Sequence, residues 1–162
     1  MEKEPMTSFG FEKLSQELEH LKNVGRAQIA EEIAEARSHG DLSENAEYDA
    51  AKEKQEHLEK RIALLTDFLG RAQVIDPSAL PHERISFGST VKVVDLEDES
   101  EHEYTIVGAA ESSVEKGLIS YNSPLARSLM GKEEGDELMA DLPNGVKEYE
   151  ILKVFYKEIN FG

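Results

Sequence analysis

Apolar residues fall at Phe11, Leu14, Leu18 and Leu21, a spacing of three and four that lines one face of an α-helix. The series resumes at Ile29, Ile33 and Ala36 after a step of eight residues instead of seven, and "NVGRA" with Gly25 lies inside that step. A kink or short interruption is expected there, because glycine weakens a helix interior. A second, cleaner series runs Tyr48, Ala51, Gln55, Leu58, Ile62, Leu65 and Leu69, with heptad spacing. Two helices joined by a short turn pack antiparallel, so residues 8–75 read as a helical hairpin with coiled-coil packing. Each arm of about 30 residues is about 45 Å long at about 1.5 Å per residue, and the turn at residues 38–44 is its far tip.

After "RAQVIDPSALPHER" the period changes to two. "STVKVVDL", "HEYTIVGA", "GLISYN", "DELMADL" and "KEYEILKVFY" have the alternation and the Val, Ile and Tyr content of strands, and Asn144-Gly145 between the last two signals a hairpin. One short helix is expected between them, with Ser123 as N-cap, Pro124 at the first helical position and Gly131 after its end. The pattern therefore predicts an α+β chain in two parts. Residues 1–76 form an antiparallel coiled-coil hairpin with an acidic tip, and residues 77–162 form a small antiparallel-sheet domain with one helix.

Composition narrows the chemistry. The absence of cysteine excludes disulfides, thiolate metal sites and a cysteine nucleophile, and the five histidines show no zinc spacing. Any metal must be held by oxygen, which points to Mg²⁺, Mn²⁺ or Ca²⁺. A formal charge of −16 argues against gripping nucleic acid over the whole surface, so any such contact is local. No apolar stretch approaches a membrane span and the start is too charged for a signal peptide, so a cytoplasmic protein is expected.

The tip, "GDLSENAEY" from Gly40 to Tyr48, concentrates oxygen ligands: Asp41, Glu44, Asn45 and Glu47, with Asp49 just beyond. Asp41 and Glu44 have the spacing of a capping box, and carboxylates favour the positive end of the second helix. The same two carboxylates, carried on a long arm, are also suited to completing the shell of a Mg²⁺ held by another protein, since Mg²⁺ takes few protein ligands and keeps waters. Ser43 and Asn45 suit turn and cap positions. Tyr48 either packs in the heptad seam or stacks on a base. His39 is assigned no catalysis, and "EDESEHE", Glu97 to Glu103, reads as a solvated hairpin turn.

"IAEARSHGDLSENAEYDAAKEKQ" (Ile33 to Gln55) resembles the tip signature of the Gre-type transcript cleavage factors of bacterial RNA polymerase, and "NSPLARSLMGKEEGDE" (Asn122 to Glu137) resembles the signature of their second domain. The match runs in register from about Met6 to Tyr156 and is closest to the GreA branch. The resemblance implies a coiled coil inserted in the polymerase's secondary channel and an FKBP-like domain docked on the channel rim through Asn122, Ser123 and Pro124. It implies that Asp41 and Glu44 help the polymerase retain a Mg²⁺ that the two share, so that the polymerase cleaves its own backtracked RNA; the factor is a co-catalyst and not an enzyme. No cofactor is expected on the free protein, which is expected to be monomeric. Arg37 and Lys52, with Lys54 nearby, would contact the extruded 3′ end of the RNA through phosphates; otherwise they are a solvated face paired with glutamates. Two alternatives remain: a channel-binding inhibitor of the same architecture, and an FKBP-like prolyl isomerase or chaperone.

Overall fold

The computed structural model describes residues 2–40 and 45–161. The chain divides into two compact units, one of Met1–Glu4 with Phe11–Ala72 and one of Pro5–Gly10 with Gln73–Gly162. The segment Pro5–Gly10 thus belongs with the C-terminal unit, although the change of period after Val74 is what the sequence offers as a boundary.

In the first unit, α1 (Ser8–His20) and α2 (Arg26–Ser38) are joined by a π-helical turn, Leu21–Gly25. The interruption expected at "NVGRA" is this turn. A π turn takes up one extra residue, so the eight-residue step from Leu21 to Ile29 keeps both residues half-buried on one face. Gly25 faces the opposite arm closely there: a Cβ on it would lie 3.1 Å from Leu58 Cδ1, so the leucine would have to shift by a few tenths of an ångström.

That arm is α3 (Ala46–Gly70), antiparallel to the first. Its buried residues Ala51, Leu58, Ile62 and Leu65 face Leu14, Ile33 and Ala36, as the two series require. Near the turn the seam is built of alanines, Ala36 and Ala51, each almost fully buried, whereas leucine and isoleucine fill it further away. Small side chains let helix axes approach. Bidentate pairs flank the seam, Arg26 with Glu59 (both bonds 2.9 Å) and Arg61 with Glu17 (2.8 and 3.1 Å). Hydrogen bonding from Arg61 holds the Glu17 carboxyl below the usual carboxylate range, and Arg26 does the same for Glu59. Both pairs are exposed, so they fix register more than they add stability.

Strand β1 (Glu4–Met6) pairs with β2 (Ala72–Val74) in a two-stranded ribbon. The second unit is built on β3 (Thr90–Asp95), β4 (Glu101–Val107), β5 (Leu118–Ser120), β6 (Glu137–Leu142) and β7 (Gly145–Phe155), in the order β5-β4-β3-β7-β6. All five expected strands are present. The sheet is antiparallel except for β4 and β5, which run parallel. Val91, Val93, Ile106, Leu138 and Ile151 pack one face of the sheet against Ala126 and Leu129 of α4 (Pro124–Leu129). The β6–β7 hairpin turns at Pro143-Asn144, with Leu142 opposite Gly145 and Gly145 at φ 124°. The turn sits one residue earlier than Asn144-Gly145 because proline presets the φ that the first corner position needs.

A buried carboxylate holds Pro5–Gly10 in this unit. Glu111 Oε1 accepts N–H bonds from Thr7 (3.1 Å) and Gly108 (3.0 Å), and the Thr7 hydroxyl donates to Oε2. The fit leaves no room for side chains, since a Cβ on Gly10 would come within 2.7 Å of the Glu111 side chain and one on Gly108 within 2.8 Å of Pro5 O. No periodicity marks Glu111 in "GAAESS", and sequence reasoning missed both it and Thr7.

Candidate functional site at the hairpin turn

Helix α2 ends where His39 leaves helical geometry and Gly40 takes φ 106°, a value that side chains disfavour. The chain re-enters a helix at Ala46, and the residue that caps α3 is Asn45. Its Oδ1 accepts the Tyr48 N–H at 3.0 Å, and its Nδ2 donates to Ala36 O at 2.6 Å across the hairpin. One side chain thereby satisfies an orphan donor of α3 and ties the two arms together. The cap expected of Asn45 is found. The capping-box explanation of Asp41 and Glu44 does not hold for α3, because an N-cap must directly precede the first helical residue and Asn45 fills that place. Asp41, Ser43 and Glu44 themselves lie outside the described residues.

We expect Asn45→Ala to lower hairpin stability by about 1–2 kcal/mol, read as an earlier loss of helical circular dichroism on heating. Asn45→Asp keeps the cap acceptor but sets a carboxylate oxygen against Ala36 O, so it should also lower stability while keeping the start of α3.

The described part of the turn has two different sides. On one, the Arg37 guanidinium lies 5.9 Å from the centre of the Tyr48 ring, and Lys52 stands one turn further along α3 from Tyr48. Lys52 Nζ donates to Gln55 Oε1 at 3.0 Å. Arg37, Tyr48 and Lys52 therefore form one cationic, aromatic side, with Tyr48 half-buried at the start of the seam. On the other, Lys54 reaches back to Glu32 at 3.4 Å and His39 Nδ1 meets Glu47 Oε2 at 2.6 Å, over a groove floored by Ala36, Ala50 and Ala51. Lys54 is thus separated from Arg37 and Lys52. The pairing of His39 with Glu47 was not legible from spacing, because it crosses the turn. Among the described residues no group of three or more His, Asp or Glu could hold a metal ion.

In the second unit, Ser123 Oγ accepts the Ala126 N–H at 3.2 Å and Pro124 opens α4, the arrangement expected from their order. Asn122 is exposed and accepts a bond from the Ser120 hydroxyl. The acidic run splits: its first part is the turn, with Glu99 at φ 62°, and Glu101–Glu103 already belong to β4.

A helical hairpin with a polar turn, followed by a small sheet unit with one helix, defines a class of two-part α+β protein. Family models described as transcription elongation factor, N-terminal, and transcription elongation factor, GreA/GreB, C-term, match residues 4–74 and 80–156, and the chain belongs to this GreA/GreB family. It is 60% identical over 161 residues to "Transcription elongation factor GreA" of Wolinella succinogenes, covering 99% of each chain. The protein of the same name from Nautilia profundicola is 58% identical over 100% of both chains, and that of Helicobacter pylori strain 26695 is 55% identical over 99% of this chain and 98% of its own. Among solved structures, GreA factor homolog 1 of Thermus thermophilus aligns over 94% of this chain and 98% of its own with 27% identity and a TM-score of 0.44.

Proposed function

We propose that this protein is a transcription elongation factor that acts on bacterial RNA polymerase and stimulates the polymerase's own cleavage of backtracked RNA. Chemistry belongs to the polymerase; the factor lends side chains and is not itself an enzyme. In this reading the hairpin enters the secondary channel, Asn122, Ser123 and Pro124 meet the rim, and the protein works as a monomer in the cytoplasm. Among the described residues no helix is long and apolar enough to cross a membrane.

The observation that carries the proposal is the cap of α3. The N-cap of α3 is Asn45, so in this reading the two acids that precede it in the sequence, Asp41 and Glu44, have another use. Bound between the two proteins, Mg²⁺ would activate water and stabilise charge developing on the phosphate. Asp41 and Glu44 would supply two anionic oxygens and leave the rest of its shell to water and to the polymerase. Arg37 and Lys52 would hold phosphates of the extruded RNA 3′ end beside Tyr48, contacts that position without reading sequence.

The test is a backtracked elongation complex with 3′-extruded, labelled RNA and Mg²⁺. Added protein should raise the cleavage rate. Slower cleavage would replace the proposal with the channel-binding inhibitor, and an unchanged rate with no binding would remove the polymerase as partner. Isomerase activity on a proline peptide would favour the FKBP-like alternative.

A further inference from the structure

The family match to the C-terminal unit ends at Tyr156, five residues short of the last described one. Chain ends are usually loose unless something ties them down. Here three separate contacts do so. Lys157 Nζ pairs with the Glu103 carboxylate on β4. Lys116 Nζ, just before β5, donates to the carbonyl of Phe161 at 2.7 Å. The Phe161 ring stacks on Phe9 with centroids 4.3 Å apart and planes within 5°. Between these points, Glu158, Ile159 and Asn160 border a cavity shared with Thr105 and Leu118. From the end of β7 the tail therefore runs past β4 to the edge of β5 and finishes on the first turn of α1.

Phe9 lies two residues from Thr7, whose N–H and hydroxyl are bound by Glu111, and one from Gly10, whose N–H donates to the Thr7 hydroxyl at 3.3 Å. The segment Pro5–Gly10 is thus held by Glu111 and by the tail. We propose that residues 157–161 are a strap that locks this segment onto the sheet unit, joining the two ends of that unit's chain through the Phe9–Phe161 stack. The ion pair of Lys157 makes part of the hold sensitive to salt.

The strap is tested by amide hydrogen exchange on the full-length protein. The Thr7 and Gly10 amides donate to side chains of this segment's network, so their exchange reports on its opening. Phe161→Ala should accelerate exchange at both about five- to tenfold, the scale of one aromatic pair. Ile106 and Ile151, in the middle of the sheet, should keep their rates. Phe9→Ala should act alike, and the double variant should exchange no faster than either single one, because the two rings act as a pair. Lys157→Ala should give a rise of about twofold that disappears at high salt. Unchanged Thr7 and Gly10 rates in Phe161→Ala would overturn the proposal. So would an acceleration shared equally by Ile106 and Ile151, which reports general loss of stability, or additive effects of the two phenylalanines.

Discussion

Asp41→Asn is expected to lower the stimulated cleavage rate by about 100-fold or more while leaving the affinity for polymerase unchanged; loss of groups that merely orient metal ligands already costs about 10–100-fold. The substitution keeps the shape of the side chain and removes its charge, and proteins hold Mg²⁺ mainly through one or two carboxylates. Glu44→Gln should behave alike. Cleavage is read on labelled RNA, and affinity by competition of the inactive variant against wild-type protein, which should show an unchanged half-maximal concentration. Asparagine caps helices as well as aspartate, so a capping role is tested with Asp41→Ala and Glu44→Ala. Because Asn45 starts α3, neither variant should reduce helical content, whereas Asn45→Ala should. A melted hairpin in Asp41→Ala, or lost binding in parallel with lost cleavage, would return these acids to a structural role.

The largest effect on stability is expected at Glu111. Glu111→Ala removes the acceptor for the Thr7 and Gly108 N–H groups and leaves the Thr7 hydroxyl without its partner. Stranding buried donors costs about 1–3 kcal/mol each, so a loss of about 3 kcal/mol is expected. For a unit of about 100 residues that lowers the melting temperature by about 15 °C. Four of the five tyrosines lie beyond residue 100, so near-ultraviolet circular dichroism follows this unit and largely ignores the hairpin. Glu111→Gln retains one carbonyl oxygen and should lose about half as much. Gly108→Ala should be as damaging as Glu111→Ala, because the new Cβ meets Pro5 O, a backbone atom that cannot rotate away. A melting temperature within about 3 °C of wild type in Glu111→Ala would show that water replaces the carboxylate at little cost.

Periodicity made most of the architecture legible. The seam residues Leu14, Ile33, Ala36, Ala51, Leu58, Ile62 and Leu65 are all buried, since a two-helix hairpin can bury only the stripe that repeats every three or four positions. Local turn chemistry placed α4, because Ser123 and Pro124 act on their immediate neighbours. Contacts set by distance along the chain were not readable in this way. Glu111 and Thr7 are 104 positions apart, and the parallel pairing of β5 with β4 leaves no trace in a strand only three residues long. At the turn, two residue types competed for one job. Aspartate and asparagine both cap helices well, so choosing Asn45 over Asp41 required knowing that α3 begins at Ala46. The separation of Lys54 from Arg37 and Lys52 depends on which arm each lysine leans against.

The π turn at Leu21–Gly25 gives the first arm a spare residue. It stores one residue more than the facing stripe calls for. Deleting one position among Lys22, Asn23 and Val24 would return the step from Leu21 to Ile29 to seven, the natural beat of the seam, and the arms could remain mated. The turn residues would keep their place, because the unchanged α3 sets the length of the hairpin. Few places in a coiled coil accept a one-codon deletion without throwing every later side chain out of phase. This chain has such a place about halfway along the arm, where a residue can be lost while the mating of the two helices is preserved.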